Sequence, residues 1–203
     1  MEFKKLLGVT ARLLTAVTII TPLAVAAGSS ENIEWPAYGG AAGGGHHTDA
    51  TQITAANVAS LTKVWTHRSG DFVGGSQSLT EATSEESMRS RPTNFMVTPI
   101  MVDDTLYYCT PFNRVFALDP ATGEERWSFD PQVDMSREGI TNCRAVSSWQ
   151  DDGTQTGTCA QRIILGTLDA RLIVLDAESG ERCADFGRNG EVSLNEGLTE
   201  HEA

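Results

Sequence analysis

The sequence predicts an all-β fold. Three observations carry this: from Met96 onward the chain is short β-rich runs cut by turn signals, no helical period interrupts them, and the segment 105–129 recurs at 162–186. Sliding the first copy along by 57 positions pairs Thr110 with Thr167, Arg114 with Arg171, Leu118 with Leu175 and Asp119 with Asp176. The same gapless offset pairs Gly123 with Gly180, Glu124 with Glu181 and Phe129 with Phe186. Each copy holds an apolar run, a tight turn, a second apolar run, and then an Asp with a Thr-Gly or Ser-Gly turn. Asp bonds the backbone of such a turn, and Gly supplies the positive φ it demands. A sheet unit repeating every few dozen residues cannot bury both faces alone, so it must stack on its neighbours. Short antiparallel strands with repeat-wise turns suit the blades of a β-propeller; a β-sandwich or an isolated sheet is the structural alternative.

The elements follow in chain order. Residues 1–26 read as a signal peptide: Lys4, Lys5 and Arg12, an apolar run from Leu13 to Ile20, and the small-x-small end Ala24-Val25-Ala26. Pro22 interrupts that stretch and it is shorter than the ~20 apolar residues of a spanning helix, with an uncleaved anchor as the alternative. Residues 27–94 form a leading segment. It begins as a Gly-, Ala-, Ser- and Thr-rich surface loop. Thr54, followed by Asn57, Val58 and Leu61, reads as the cap of a short helix, and Lys63-Val64-Trp65-Thr66-His67 as a strand. A polar excursion over 69–94, with Gly74-Gly75, Glu81, Glu85 and Glu86, is of the kind that carries mobility or function. Residues 95–203 hold the repeats. The first blade is expected at 97–102, 105–109, 114–118 and 126–129, with Asp103-Asp104 as a hairpin turn; the second begins near Ala145.

Charge narrows the function classes. The chain carries 15 basic and 27 acidic residues, a net charge of −12. Losing residues 1–26 removes three basic residues and Glu2, leaving 12 against 26, or −14. Nucleic acid and anionic membrane surfaces are poor partners for such a chain, because phosphate binding needs a basic footprint. Export would place Cys109, Cys143, Cys159 and Cys183 in an oxidising compartment. Four cysteines allow three full pairings, none forms a C-x-x-C pair, and one disulfide with two buried thiols is the expectation. His46-His47 lie beside the Gly-rich run 39–45 and make a weak metal pair.

The first copy reads Ala117-Leu118-Asp119-Pro120-Ala121-Thr122-Gly123-Glu124-Glu125-Arg126-Trp127, which resembles the A-x-D-x-x-T-G-x-x-x-W blade motif of the pyrroloquinoline quinone (PQQ) dehydrogenases. In that family the Trp docks on the turn of an adjoining blade; the second copy has Ala184 at the offset position. Further stretches are similar to the glucose/quinate branch: Trp35-Pro36-Ala37-Tyr38-Gly39-Gly40, Gln52-Ile53-Thr54 with Asn57-Val58, Val97-Thr98-Pro99-Ile100, Asp104-Thr105-Leu106-Tyr107-Tyr108-Cys109-Thr110, and Cys143-Arg144. The resemblance runs from Trp35 to Leu198 and implies an eight-bladed ring that the leading segment helps to close.

An o-quinone that accepts a hydride and carries three carboxylates needs guanidinium or amide donors, a cation to polarise its carbonyl, and a base for the substrate hydroxyl. Arg144 falls where the family's C-R-G motif sets an arginine against the cofactor, and its fork suits a carboxylate or quinone oxygen. Thr167, in Gly166-Thr167-Leu168-Asp169, sits in a turn where relatives use a hydroxyl near the cofactor, although its repeat partner Thr110 allows a purely structural reading. Asn142 precedes Cys143 where alcohol-oxidising relatives carry a vicinal Cys-Cys pair, which points to the sugar/cyclitol branch. Three positions depart from the pattern: Met96 replaces a Glu or Gln, Ala145 a Gly, and Ile140 a His of some glucose-oxidising relatives.

The resemblance therefore implies a PQQ-dependent oxidoreductase acting on a sugar, polyol or cyclitol hydroxyl, which the signal peptide would export to the periplasm. Electrons would pass to a quinone or cytochrome, with a peripheral membrane contact. Its Ca2+ ligands and Asp base belong to later blades, so no metal ligand and no catalytic base is assigned here, and this chain is expected to be an inactive N-terminal portion. The ending 195–203 loses strand character, as at a truncation or fragment boundary. A non-catalytic propeller-repeat scaffold is the rival reading. Such a scaffold has no use for an arginine after a cysteine or for the W-P-x-Y-G-G opening.

Overall fold

Eight short strands build two antiparallel four-stranded sheets. The first holds β1 (Ile100–Val102), β2 (Thr105–Cys109), β3 (Val115–Leu118) and β4 (Glu125–Phe129), in that spatial order. The second holds β5 (Ser147–Gln150), β6 (Gln161–Gly166), β7 (Arg171–Asp176) and β8 (Glu191–Ser193), again in sequence order. This is the repeated meander expected of two propeller blades. The computed structural model describes residues 33–41, 43–73, 93–135, 141–151, 153 and 156–196, which belong to one unit, Asn32–Ala203. The expected signal peptide, Gly74-Gly75, Glu81, Glu85, Glu86, Ile140 and residues 197–203 lie outside the described residues.

Alternation decides which face meets which. In β2, Thr105, Tyr107 and Cys109 are buried while Leu106 and Tyr108 are half-buried on the other face. Tyr107, Cys109, Val115 and Ala117 share one core with Ile163, Leu165, Ile173 and Leu175, so the two sheets pack face to face. Burying each large aliphatic chain there contributes about 1.5–3 kcal/mol. The turn between β1 and β2 has Asp103 and Asp104 at φ 44° and 53°, the left-handed pair that a two-residue hairpin requires.

Indoles hold the stack together. Trp127, on β4, donates from Nε1 to the Ala177 carbonyl of the second blade at 2.9 Å. Trp65 does the same to the Pro120 carbonyl of the first blade at 3.0 Å. The two acceptors are repeat partners, so Trp65 stands to the first blade as Trp127 stands to the second.

Four expectations need correction. Thr54 does not cap a helix. Its own N–H donates to Asn57 Oδ1 at 2.7 Å, and only the single 3₁₀ turn Val58–Ser60 follows, with no side-chain cap and no buried residue to stabilise more. The segment 63–67 forms no strand, because it has no ladder partner among the described residues; Trp65 and His67 anchor it by side chains instead. All four cysteines are paired, Cys109 with Cys143 and Cys159 with Cys183, at Cα separations of 5.9 and 5.8 Å that suit disulfides. Sequence spacing could not reveal this, since Cys109 ends β2 and Cys143 precedes β5 in the next blade.

The fourth correction concerns the repeat itself. Val115 faces Phe129, but its repeat partner Leu172 faces Val192, so Phe186 is not the structural counterpart of Phe129. The constant offset ends near Arg182, whose bridge to Leu175 and the Cys183 N–H bond to the Val174 carbonyl start a fourth strand. Disulfide-bonded Cys183 then leads into a turn, and the chain re-enters the ladder only at β8. By register the place of Trp127 in the second blade is taken by Gly190, whose carbonyl accepts the Val174 N–H, and not by Ala184.

Candidate functional site

The two ends of the sheets differ in chemistry. One end carries the Asp103-Asp104 hairpin and the Asp119–Glu124 turn. There Asp119 accepts the Ala121 and Thr122 N–H groups at 2.9 Å each and an Arg126 bond at 3.0 Å. These bonds, the one from the Thr122 N–H first, pull the Asp119 carboxyl down to about 2. A cavity of about 290 Å³ opens between the blades beside Tyr107, Arg126 and Trp127. The opposite end carries the β2–β3 and β6–β7 turns and the chain entries to β1 and β5, and it holds both expected cofactor contacts.

Arg144 precedes β5 and is exposed. Its carbonyl accepts the Thr98 N–H at 2.8 Å, tying the entry of the second blade to that of the first. The neighbouring Cys143 is buried and bonded to Cys109, so a covalent link and a backbone bond fix the main chain on which Arg144 stands. The Arg144 side chain makes no hydrogen bond or ion pair with the described residues. Ser147 faces Ile164 in the ladder, so Arg144, three residues before Ser147, and Thr167, three residues after Ile164, both leave the ladder at this end.

Thr167 is engaged in its own turn. Its hydroxyl donates to Asp169 Oδ1 and accepts the Arg171 N–H at 3.0 Å. Thr110 likewise accepts the Arg114 N–H, at 3.2 Å, so this threonine is part of the turn in both blades. Burial works against the charge of Asp169, but the bonds from Arg171 and Thr167 outweigh it and hold the carboxyl below 3.8.

The two repeat arginines act across the stack, which sequence reading missed. Arg171 donates to the Pro131 carbonyl of the preceding blade at 2.8 Å and pairs with Asp169 at 2.7 Å. Arg114 donates to the Ser69 carbonyl at 3.0 Å and pairs with Asp71 at 3.1 Å. Ser69 and Pro131 each lie four residues past a docking tryptophan, so one blade clasps its neighbour through Trp at one end and Arg at the other. That identity of Arg114 and Arg171 in the repeat was the available signal. Asn113 gave none: only 1% exposed, it donates from Nδ2 to the Asn142 carbonyl at 3.3 Å and accepts the Leu168 N–H at 2.9 Å.

Other features are placed as follows. Met96 is exposed and Ala145 half-buried, both at the Arg144 end. His46 meets Tyr38 edge-on at 5.5 Å and His47 lies exposed beside Asp49. Among the described residues the one cluster with metal-ligand spacing is Cys159, Cys183 and Asp185, and its cysteines are disulfide-bonded. A groove of about 650 Å³ lies on the outer face of the first sheet against residues 65–72. In it Tyr108 meets His67 Nδ1 at 2.6 Å, and burial, then the Asp71 charge, push the phenol up to about 12. No helix among the described residues is long and apolar enough to cross a membrane.

Known proteins are similar to this chain in sequence and fold. A family model described as "PQQ: Glucose/ethanol/alcohol dehydrogenase, beta-propeller domain" matches residues 35–203. The quinoprotein glucose dehydrogenase of Escherichia coli (strain K12) is 38% identical over 173 residues, covering 81% of this chain and 20% of that protein. The quinate/shikimate dehydrogenase (quinone) of Acinetobacter baylyi is 32% identical over 198 residues, covering 89% of this chain and 22% of that protein. Among solved structures, the quinohemoprotein alcohol dehydrogenase from Comamonas testosteroni superposes with a TM-score of 0.57 at 26% identity, over 85% of this chain and 21% of that one. The chain thus spans about a fifth of the length of the curated relatives it matches. With the family model covering the leading segment and both blades, the chain belongs to the PQQ-type glucose/ethanol/alcohol dehydrogenase β-propeller family.

Proposed function

We propose that these blades serve a periplasmic PQQ-dependent dehydrogenase that oxidises the hydroxyl of a sugar, polyol or cyclitol to a carbonyl, with a quinone or cytochrome as the final electron acceptor. The observation that carries this reading is Arg144, a guanidinium without a side-chain partner among the described residues, on a main chain held by a disulfide and an inter-blade bond. A cation presented from a fixed main chain in an acidic protein suits an anionic ligand, and PQQ carries three carboxylates. Support for the substrate class comes from the relatives, among them quinoprotein glucose, quinate/shikimate and glycerol dehydrogenases. Support for export comes from residues 1–26 and from two disulfides, which persist in oxidising compartments.

The residues fit the cofactor in part. Arg144 would hold a carboxylate or quinone oxygen. Thr167, with its hydroxyl proton committed to Asp169 and one lone pair to Arg171, offers its remaining lone pair and its methyl at the same end of the sheet. When bound, PQQ supplies the electrophilic carbonyl that takes the hydride. No calcium ligand or general base is assigned among the described residues. The test is a titration of the chain with PQQ, followed by quenching of tryptophan fluorescence. Arg144→Ala should raise the Kd roughly tenfold to a hundredfold, as expected for a lost charged hydrogen bond, with Arg144→Lys in between. Equal affinity of Arg144→Ala and the parent chain would overturn the reading.

A further inference from the structure

We infer that Asn113 is a positioning residue for the cofactor end of the blades, acting through Arg144; this rests on the PQQ reading above. Its amide is buried and bridges the two segments that flank the expected contacts. Nδ2 donates to the Asn142 carbonyl, two residues before Arg144, and Oδ1 accepts the Leu168 N–H, next to Thr167. One side chain of the first blade therefore sets the spacing between two loops of the second.

A local explanation is available and fails. Asn113 has φ 59°, a left-handed conformation that asparagine tolerates, so the residue could be there for the turn alone. Its repeat partner Ala170 adopts φ 63° in the equivalent turn with no amide. The turn forms without asparagine. What distinguishes Asn113 is the bridge, and burying an amide is unfavourable unless its bonds are made. Arg144 is the group with most to gain. Its side chain has no partner of its own among the described residues, so its aim depends on the main chain, which the disulfide pins at Cys143 and the Asn113 amide pins at Asn142.

The experiment uses the whole chain and Asn113→Gly, which keeps the positive φ and removes the amide, with Asn113→Ala as a second variant, since Ala170 already holds the equivalent turn at φ 63° without an amide and no charge is introduced. Two readouts are taken: PQQ affinity by fluorescence quenching, and hydrogen exchange of the Asn142–Arg144 and Leu168 amides. Both variants should bind PQQ about tenfold more weakly while unfolding cooperatively, and Asn113→Gly should expose the Leu168 amide to faster exchange. In an Arg144→Ala background, Asn113→Gly should change the Kd less than twofold, because a residue acting through Arg144 has nothing left to aim. Parent-like affinity of both variants, or equal losses with and without Arg144, overturns the positioning role while leaving the PQQ reading intact. Faster exchange combined with PQQ affinity that ignores Arg144 overturns the PQQ reading, and the inference with it.

Discussion

Trp127 lies over Gly180 so closely that a β-carbon on the glycine would stand 2.6 Å from the indole Cδ2. Trp65 meets Gly123 in the same way, at 2.5 Å. Each indole also bonds a carbonyl of the turn it covers. The glycine of the blade motif therefore answers two demands together: a left-handed φ, 73° at Gly180, and an absent side chain where the neighbouring blade's indole sits.

Gly180→Ala should therefore destabilise the chain by about 2–4 kcal/mol, from strained backbone plus overpacking. Denaturant unfolding reads this as a lower midpoint. The double variant Gly180→Ala/Trp127→Ala should cost less than the sum of the two single changes, because the clash is then gone.

The disulfide between Cys109 and Cys143 closes 34 residues of chain. Replacing both cysteines with serine should lower stability by about 2–4 kcal/mol. Amide exchange should rise around Arg144 more than around Asp119, since the bond holds only the former end.

Asp119 gives a signed pH dependence. Its folded carboxyl is held at about 2, below the ordinary 3.8, chiefly by the Thr122 N–H and then by Arg126. Its contribution is fully present above the unfolded value and is lost as the pH falls from about 4 through 2. Asp119→Asn should lose less stability than the parent over that window. Asp176, also lowered, keeps a residual slope in the variant. Urea midpoints at pH 2.5, 4 and 6 test this, and identical slopes for both proteins would contradict it.

Much of the fold was legible because period-2 patterning and turn chemistry are local. The Asp103-Asp104 hairpin and the first blade's strands follow from residues close in sequence, whereas the docking of Trp127, 50 residues from its partner Ala177, was implied by the resemblance to the PQQ dehydrogenases. Thr54 misled because a cap residue implies a helix only where a buried face continues it, and residues 58–60 bury nothing. Lys63–His67 has strand composition, but pairing requires a partner that composition does not supply. The offset that identified the repeat failed beyond Arg182, where the Cys159–Cys183 bond and the turn to Gly190 reroute the chain. Arg144 could be named because Cys143-Arg144 resembles the family's C-R-G motif. Asn113 could not, because its partners lie 29 and 55 residues away in another blade.

A crystal structure of the chain soaked with PQQ tests the central claim most directly. The cofactor is expected at the end of the sheets where the chain enters β5, with the Arg144 guanidinium on one of its carboxylate or quinone oxygens and Thr167 alongside. PQQ bound elsewhere, or density at that end with Arg144 turned away, would contradict it.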